Sequence, residues 1–183
     1  LRESESPLKK IWLSLLHWLN RDTIRGSKKN IMSHYDLGND FFEKFLDPTM
    51  SYSCANFKNR GESLETASTN KIDSICMQLG LSSSDHLLEI GTGWGGLAIH
   101  AAEQYGCRVT TTTISEEQFD YVESLISQRG LQNQVTLLKK DYRDLQGKYD
   151  KLVSVEMIEA VGIKFIPEFF KRCSSLLNSN GLM

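Results

Sequence analysis

The chain has 183 residues, a formal net charge of −2 and 40% apolar residues, which fits one globular domain with a hydrophobic core. That near-neutral balance argues against nucleic-acid binding, which usually brings a strong basic excess. Four cysteines (Cys54, Cys76, Cys107, Cys173) are scattered without disulfide or metal spacing, so free thiols, a reducing compartment and no metal are expected.

No apolar run approaches the length of a bilayer-crossing helix, and the charged N-terminus lacks the apolar core of a signal peptide. Pro7–Asn20 reads as an amphipathic helix, with Leu8, Ile11, Trp12, Leu15, Leu16 and Leu19 on one face. Its two tryptophans and flanking lysines suit a membrane surface. Docking onto the rest of the protein explains the same pattern. Arg21–Ser33 is polar and basic and reads as a linker. In His34-Tyr35-Asp36-Leu37-Gly38-Asn39-Asp40-Phe41-Phe42, Asn39 or Asp40 is expected to cap a short helix running to Leu46, with Phe41, Phe42 and Phe45 as its apolar face. Asp47-Pro48 ends it. Thr49–Phe57 is irregular and aromatic, and suits a lid packed on the core or over a cofactor.

Glu62–Leu79 reads as a helix stopped by Gly80, burying Ile72, Ile75, Cys76 and Leu79. A first strand follows at His86–Ile90, then a glycine turn and a helix to Tyr105, closed by Gly106. Arg108–Thr113 is a second strand, rich in β-branched residues. Ser115-Glu116-Glu117-Gln118 has the form of a capping box opening a helix to about Gln128. Val135–Leu138 and Lys151–Val155 read as third and fourth strands, and Pro167–Leu177 as the last helix. Asn178–Gly181 reads as a turn, and Leu182-Met183 as the start of another strand, so the chain is expected to be part of a longer protein. Alternating strands and helices predict a parallel sheet with helices on both faces.

The stretch Leu87-Leu88-Glu89-Ile90-Gly91-Thr92-Gly93-Trp94-Gly95-Gly96 organises this pattern. A buried strand breaks into a glycine turn and then a helix, the unit that presents backbone N–H groups at the mouth of a parallel sheet. It lacks the lysine and Ser/Thr of a phosphate-cradling NTPase loop. Gly91, Gly93 and Gly96 formally satisfy the dinucleotide pattern, and the spacing leaves nicotinamide and S-adenosylmethionine enzymes both open. Glu89, two residues before the first glycine, is placed to organise the loop and a charged ligand. The second strand ends in Thr112-Thr113-Ile114-Ser115, without the acid a dinucleotide enzyme wants for the ribose diol, which weakens the nicotinamide reading. Four segments are expected to converge at the strand ends: Glu89–Gly96, Thr112–Gln118, Lys140–Arg143 and Glu156–Gly162. Asp141 suits an exocyclic adenine amine and Tyr142 a stacked ring. Glu156 and Glu159, three apart, share one side if that segment is helical.

Together the motifs resemble the cyclopropane-fatty-acid synthase family, which includes the mycolic acid cyclopropane synthases. The likeness runs from about Lys29 to Met183. It rests on the His34–Phe42 run, Leu46-Asp47-Pro48, Tyr52-Ser53-Cys54-Ala55, Lys71-Ile72, the Gly91–Gly96 loop, Thr113–Gln118, Asp141–Asp144 and Val153–Glu159. The chain departs from many members at Thr92, where they have cysteine, and at Ala160, where they have histidine. A similar Glu-Met-Ile-Glu-Ala-Val-Gly run occurs in a eukaryote-type branch.

The resemblance implies a Rossmann-like class I methyltransferase sheet, incomplete at the C-terminus, over residues 62–183, with an N-terminal helical segment and lid over residues 1–61. It implies S-adenosylmethionine as methylene source and an unsaturated phospholipid or fatty acyl chain as acceptor, which becomes a cyclopropane. By the same likeness Tyr52 and Ser53 touch the cofactor from the lid, Gly91 and Gly93 pass beneath its amino-acid part, Thr113, Ile114 and Gln118 lie near the ribose, and Asp141 and Tyr142 lie near adenine. A bicarbonate ion would be held by the Cys54 amide and by Glu159, the candidate catalytic positions, with further holders beyond Met183. A cytoplasmic, peripherally membrane-associated protein that meets the membrane surface transiently is expected, and a homodimer is compatible. Residues 1–183 alone are expected to be inactive. The competing readings are a methyltransferase acting on an amine or another lipid carbon without ring closure, and an inactive cofactor-binding fragment.

Overall fold

The computed structural model describes residues 38–183. The expected Pro7–Asn20 helix, the Arg21–Ser33 linker and the start of the His34–Phe42 run lie outside the described residues. Five strands form one sheet: β1 (His86–Ile90), β2 (Arg108–Thr113), β3 (Val135–Lys139), β4 (Tyr149–Val153) and β5 (Leu177–Leu182). All pairings are parallel and the order is β3-β2-β1-β4-β5. Direction of travel across the sheet reverses between β1 and β4, which opens a crevice at their C-terminal ends.

The six helices are α1 (Asn39–Phe42), α2 (Leu64–Leu79), α3 (Gly96–Tyr105), α4 (Glu116–Gln128), α5 (Ile158–Val161) and α6 (Ile166–Leu176) among the described residues. Side chains alternate across β1, so Leu87 and Leu88 face opposite layers, and both are fully buried. Leu87 joins Ile72, Cys76, Leu97, Ala98 and Val122 in one core. Leu88 joins Leu152, Phe169 and Leu176 in the other. A sheet covered on both faces is what strands this apolar require.

Local sequence explains the helix ends. Ser63 caps α2 by accepting from the Thr66 amide at 3.1 Å, and Gly80 takes the left-handed conformation that closes it. The helix starts after Glu62, whose carboxylate instead accepts from the Lys58 amide at 2.8 Å. Ser115 caps α4, but the reciprocal half of the capping box is absent. Gln118 Oε1 accepts from Thr113 Oγ1 at 2.8 Å, and the Ser115 amide donates to that same Thr113 oxygen at 3.1 Å. Thr113 thus takes the place that the box pattern assigns to Gln118.

Four expectations need correction. Neither Asn39 nor Asp40 caps α1, because Gly38 precedes it and both residues are already helical; the helix stops at Phe42 and a turn carries the chain to Leu46. The fourth strand lies two residues earlier than expected, because the chain leaves the sheet at Ser154, whose hydroxyl donates to the Ile90 carbonyl at 2.9 Å. Asn178–Gly181 is part of β5 rather than a turn before it. Lys148 Nζ reaches the Ser175 and Leu177 carbonyls at 2.9 Å each and fixes the start of that strand. Helix α6 begins at Ile166, with Pro167 in its first turn.

Asp150 ties three strands together: it accepts from the His86 amide at 2.9 Å and from Asn178 Nδ2 at 2.7 Å. The His86 amide and then Asn178 hold its carboxyl below the usual range. A depressed carboxyl stabilises the fold above its unfolded value and loses that contribution as pH falls through its folded value. Asp150→Ala should therefore cost about 1–2 kcal/mol at neutral pH in urea unfolding. The gap from wild type should close on acidification below the unfolded carboxyl value.

Candidate active site

The turn between β1 and α3 is built by glycine. Gly91, Gly93 and Gly95 all have positive φ, at 95°, 52° and 87°. The amides of Gly91 and Thr92 both donate to the Thr112 carbonyl, at 3.1 and 3.0 Å, which pins the turn to the end of β2. Gly96 is needed for space rather than angle. A Cβ there would stand 2.8 Å from the Thr49 carbonyl oxygen.

The segment around Met50–Ser53 lies over this turn. Asp47 anchors it, accepting from the Thr49 amide and from Ser68 Oγ on α2, each at 2.8 Å. Burial works against the Asp47 carboxylate, but the bonds from Thr49 and Ser68 outweigh it and keep its pKa low. Trp94, from the turn itself, is 3% exposed and donates its indole N–H to Asn39 Oδ1 at 2.8 Å. Its ring packs on Phe42 at 4.6 Å, and Phe42 meets Tyr52 at 5.4 Å.

One cavity opens at the rim, lined by the lid, α2, the glycine turn and the segments after β2, β3 and β4. All four segments expected to converge do line it. So do all ten expected cofactor contacts: Tyr52, Ser53, Glu89, Gly91, Gly93, Thr113, Ile114, Gln118, Asp141 and Tyr142.

Glu89 is 4% exposed, and burial pushes its carboxyl up to about 8, against a single opposing bond from Thr111 Oγ1 at 2.6 Å. It therefore stays largely protonated at neutral pH until a positive charge arrives. Thr92 Oγ1 is buried in the cavity wall without a hydrogen-bond partner among the described residues. Asp141 is held by Arg143, which donates from Nε at 2.8 Å, from Nη2 at 2.6 Å and from its amide at 3.0 Å. Burial opposes the Asp141 charge, yet the Arg143 bonds win and lower its pKa. Tyr142 packs edge-on against Phe169 at 5.1 Å and under the Arg143 guanidinium at 5.3 Å.

The two expected catalytic positions are placed differently. Cys54 and Glu159 are exposed and absent from the cavity lining. Glu159 lies in α5, whose Ala160 and Val161 face the cavity instead. The expected shared side for Glu156 and Glu159 fails because Glu156 precedes the helix with φ 54°. Glu156 itself lines the cavity, beside Met157.

Trp94, Glu156 and Lys71 are among the lining residues given no ligand role in the sequence. Trp94 reads as a core residue within the glycine run. Glu156 stands directly after a strand, where acids often serve ligands. Lys71 carries the clearest signal: it falls at helical spacing with Ala67, Ser68 and Ile75, a cation on a largely buried face. Its ammonium donates to Ser53 Oγ. Burial pushes its pKa down, opposed by the nearby charges of Cys54, Glu156 and Asp47.

The sheet order, the glycine turn two residues after a buried acid, and a cavity roofed by an N-terminal segment define a Rossmann-like class I S-adenosylmethionine-dependent methyltransferase fold. A sequence model of the mycolic acid cyclopropane synthetase family matches residues 23–183, and the chain belongs to that family. It is 40% identical over 184 residues to the tuberculostearic acid methyltransferase UfaA1 of Mycobacterium tuberculosis, covering 91% of this chain and 43% of that protein. It is 42% identical over 149 residues to the cyclopropane-fatty-acyl-phospholipid synthase of Escherichia coli K12, covering 81% of this chain and 38% of that protein. The chain thus spans less than half the length of these relatives. The crystal structure of mycolic acid cyclopropane synthase CmaA1 complexed with SAH and CTAB superposes with a TM-score of 0.80 at 34% identity, over 83% of this chain and 53% of that one.

Two substitutions test this geometry. Alanine exceeds glycine in helix propensity by about 1 kcal/mol, so Gly96→Ala would stabilise α3 if space allowed. The Thr49 contact predicts the opposite: a loss of about 1–3 kcal/mol, with faster amide exchange across Met50–Ser53. Glu89→Gln removes a group whose folded pKa is raised. Such a group costs nothing below its unfolded value near 4.5 and increasingly destabilises the fold as pH rises toward about 8. The variant should therefore gain on wild type between pH 5 and 8, by an amount on the order of a few kcal/mol, read by urea unfolding at each pH.

Proposed function

We propose that this chain forms the cofactor-binding part of an enzyme that adds a methylene group from S-adenosylmethionine to the double bond of an unsaturated fatty acyl chain, closing a cyclopropane ring on a phospholipid. The convergence of the ten expected contacts on one roofed cavity carries the reading. The wall also suits the cofactor: Thr92 offers a buried hydroxyl unpaired among the described residues, and Glu89 a largely protonated carboxyl whose ionisation a nearby cation would favour.

When bound, the cofactor supplies an electrophilic methyl to a weakly nucleophilic alkene. The chain's own residues supply position and dryness. The glycine turn would take the amino-acid tail, Thr113, Ile114 and Gln118 the ribose, and Asp141 and Tyr142 the adenine, with Tyr52 and Ser53 closing from the lid. Holding reactants in line is worth roughly 7–11 kcal/mol. Met50, Ile72, Trp94, Leu97 and Met157 make part of the wall apolar, which keeps water from an electron-deficient carbon. The bicarbonate role expected of Cys54 and Glu159 finds no support in this lining, which contains neither residue. A lipid substrate would bring the protein to a membrane surface. Among the described residues no helix is long and apolar enough to cross one.

Methyl transfer to a lipid carbon without ring closure is the second reading, favoured by the 40% identity to a protein named as a tuberculostearic acid methyltransferase. The polypeptide containing this chain, given methyl-labelled cofactor and mixed phospholipids, should place label in the acyl chain. Proton NMR should show ring signals in place of alkene signals. Label in a branch methyl or methylene supports the second reading, and label on a headgroup amine with the alkene intact overturns both. Binding also has a proton signature. Calorimetry of S-adenosylmethionine binding at pH 7, in buffers of different ionisation enthalpy, should report release of up to about one proton from Glu89, absent in Glu89→Gln.

A further inference from the structure

Lys71 lines the cavity half-buried, yet makes no ion pair among the described residues; its ammonium donates to the Ser53 hydroxyl. Charges taken out of water are normally paired. Asp47 is already committed to Thr49 and Ser68. In the Lys71–Ser53 bond the serine oxygen accepts, so its own O–H remains to donate.

The surroundings of Lys71 combine hydrogen-bond donors with the nearby carboxylates of Asp47 and Glu156. Ile72, next to Lys71, lies 3.7 Å from where a Gly96 Cβ would stand, and Ser51 Oγ lies 3.6 Å from it. Gly96 opens α3, a ten-residue helix whose N-terminus carries unpaired amides and positive dipole. The buried, unpartnered Thr92 hydroxyl lines the same cavity. The Thr92 hydroxyl and the start of α3 thus line the same cavity as Lys71. Glu156 places a carboxylate in the same wall, held at φ 54°, where a non-glycine residue is strained. A wall bearing both signs matches a zwitterionic amino-acid tail.

We propose that Lys71, through its bond to Ser53, is the positioning residue for the carboxylate of the cofactor's amino-acid tail. This rests on the cofactor reading above. Lys71 orients the Ser53 hydroxyl and supplies the counter-charge, so the tail is fixed at one end while the methyl stays clear of the lysine.

The test is a binding comparison on the 183-residue chain with three nucleosides: S-adenosylhomocysteine, its decarboxylated counterpart, and 5′-methylthioadenosine, which lacks the whole tail. Wild type should prefer S-adenosylhomocysteine to the decarboxylated ligand by about tenfold or more, as expected for a charge-assisted hydrogen bond. Lys71→Met should erase that preference and leave methylthioadenosine binding within about twofold, while Lys71→Arg should retain most of it. Lys71→Met that preserves the preference overturns the inference, as does a wild-type preference below about threefold, a result that needs no variant to fold. If Lys71→Met loses all three ligands, Ser53→Ala takes its place and must reduce the preference. Wild type that binds none of the three sinks the cofactor reading itself, and this inference with it.

Discussion

A carboxyl group buried inside the central strand sets the terms for the rest of the site. Glu89 sits in β1 with Thr111 of β2 on one side and Val153 of β4 on the other. Both neighbours spend their backbone groups on the ladder, so the Glu89 side chain gets one bond, from Thr111 Oγ1. That is too little to hold a charge in a medium this poor in water, and the proton stays on. Protonated, Glu89 leaves the strand end neutral. A cation beside Glu89 would favour its ionised form. The acid lies in β1, beside the reversal of strand order at which ligands of such sheets bind.

The lid and the glycine turn behave as one unit because neither stands alone. Helix α1 has four residues, too few to persist without tertiary contacts. Its anchor is Trp94, which belongs to the turn. The tryptophan gives its N–H to Asn39 and its ring to Phe42, while Asp47 ties the following segment to α2. The absence of a side chain at Gly96 then lets the Thr49 carbonyl descend onto the start of α3. A change in the turn is therefore felt in the lid, and the reverse. This coupling suits a cavity that must admit a polar cofactor and then exclude water.

Much of this was legible in the residues. β1, β2, α4 and the end of α3 were readable because strand and helix periods are unambiguous there and glycine or serine marks the ends. The convergence of four segments followed from the parallel α/β pattern alone. Less legible were features set by tertiary contacts. The capping box looked complete in Ser115–Gln118, but Thr113, two residues before Ser115 at the end of β2, intercepts the glutamine. Asn39 had the composition of a cap and serves Trp94, 55 positions away. The start of β4 was obscured because Tyr149 and Asp150 do not look like a central strand; Asp150 is tolerated there only because His86 and Asn178 both donate to it.

The acids after β4 show how one backbone angle redirects chemistry. Spacing of three places Glu156 and Glu159 on one side only if every residue between them and both ends are helical. With Glu156 in the left-handed region the helical repeat begins too late, and of the two exposed acids Glu156 alone lines the cavity. The same shift turns Met157 inward, against the space a Cβ on Gly91 would need, at 2.8 Å from its Cγ. Strain at Glu156 therefore serves two ends at once: it closes the glycine turn with a flexible apolar side chain, and it leaves a carboxylate in a wall that already holds Lys71. An acid, a base and an apolar thioether around one glycine turn form a surface that neither a plain nucleotide phosphate nor a plain hydrocarbon would fill. A ligand carrying a zwitterionic tail, a sulfur cation and an apolar acceptor nearby uses all three.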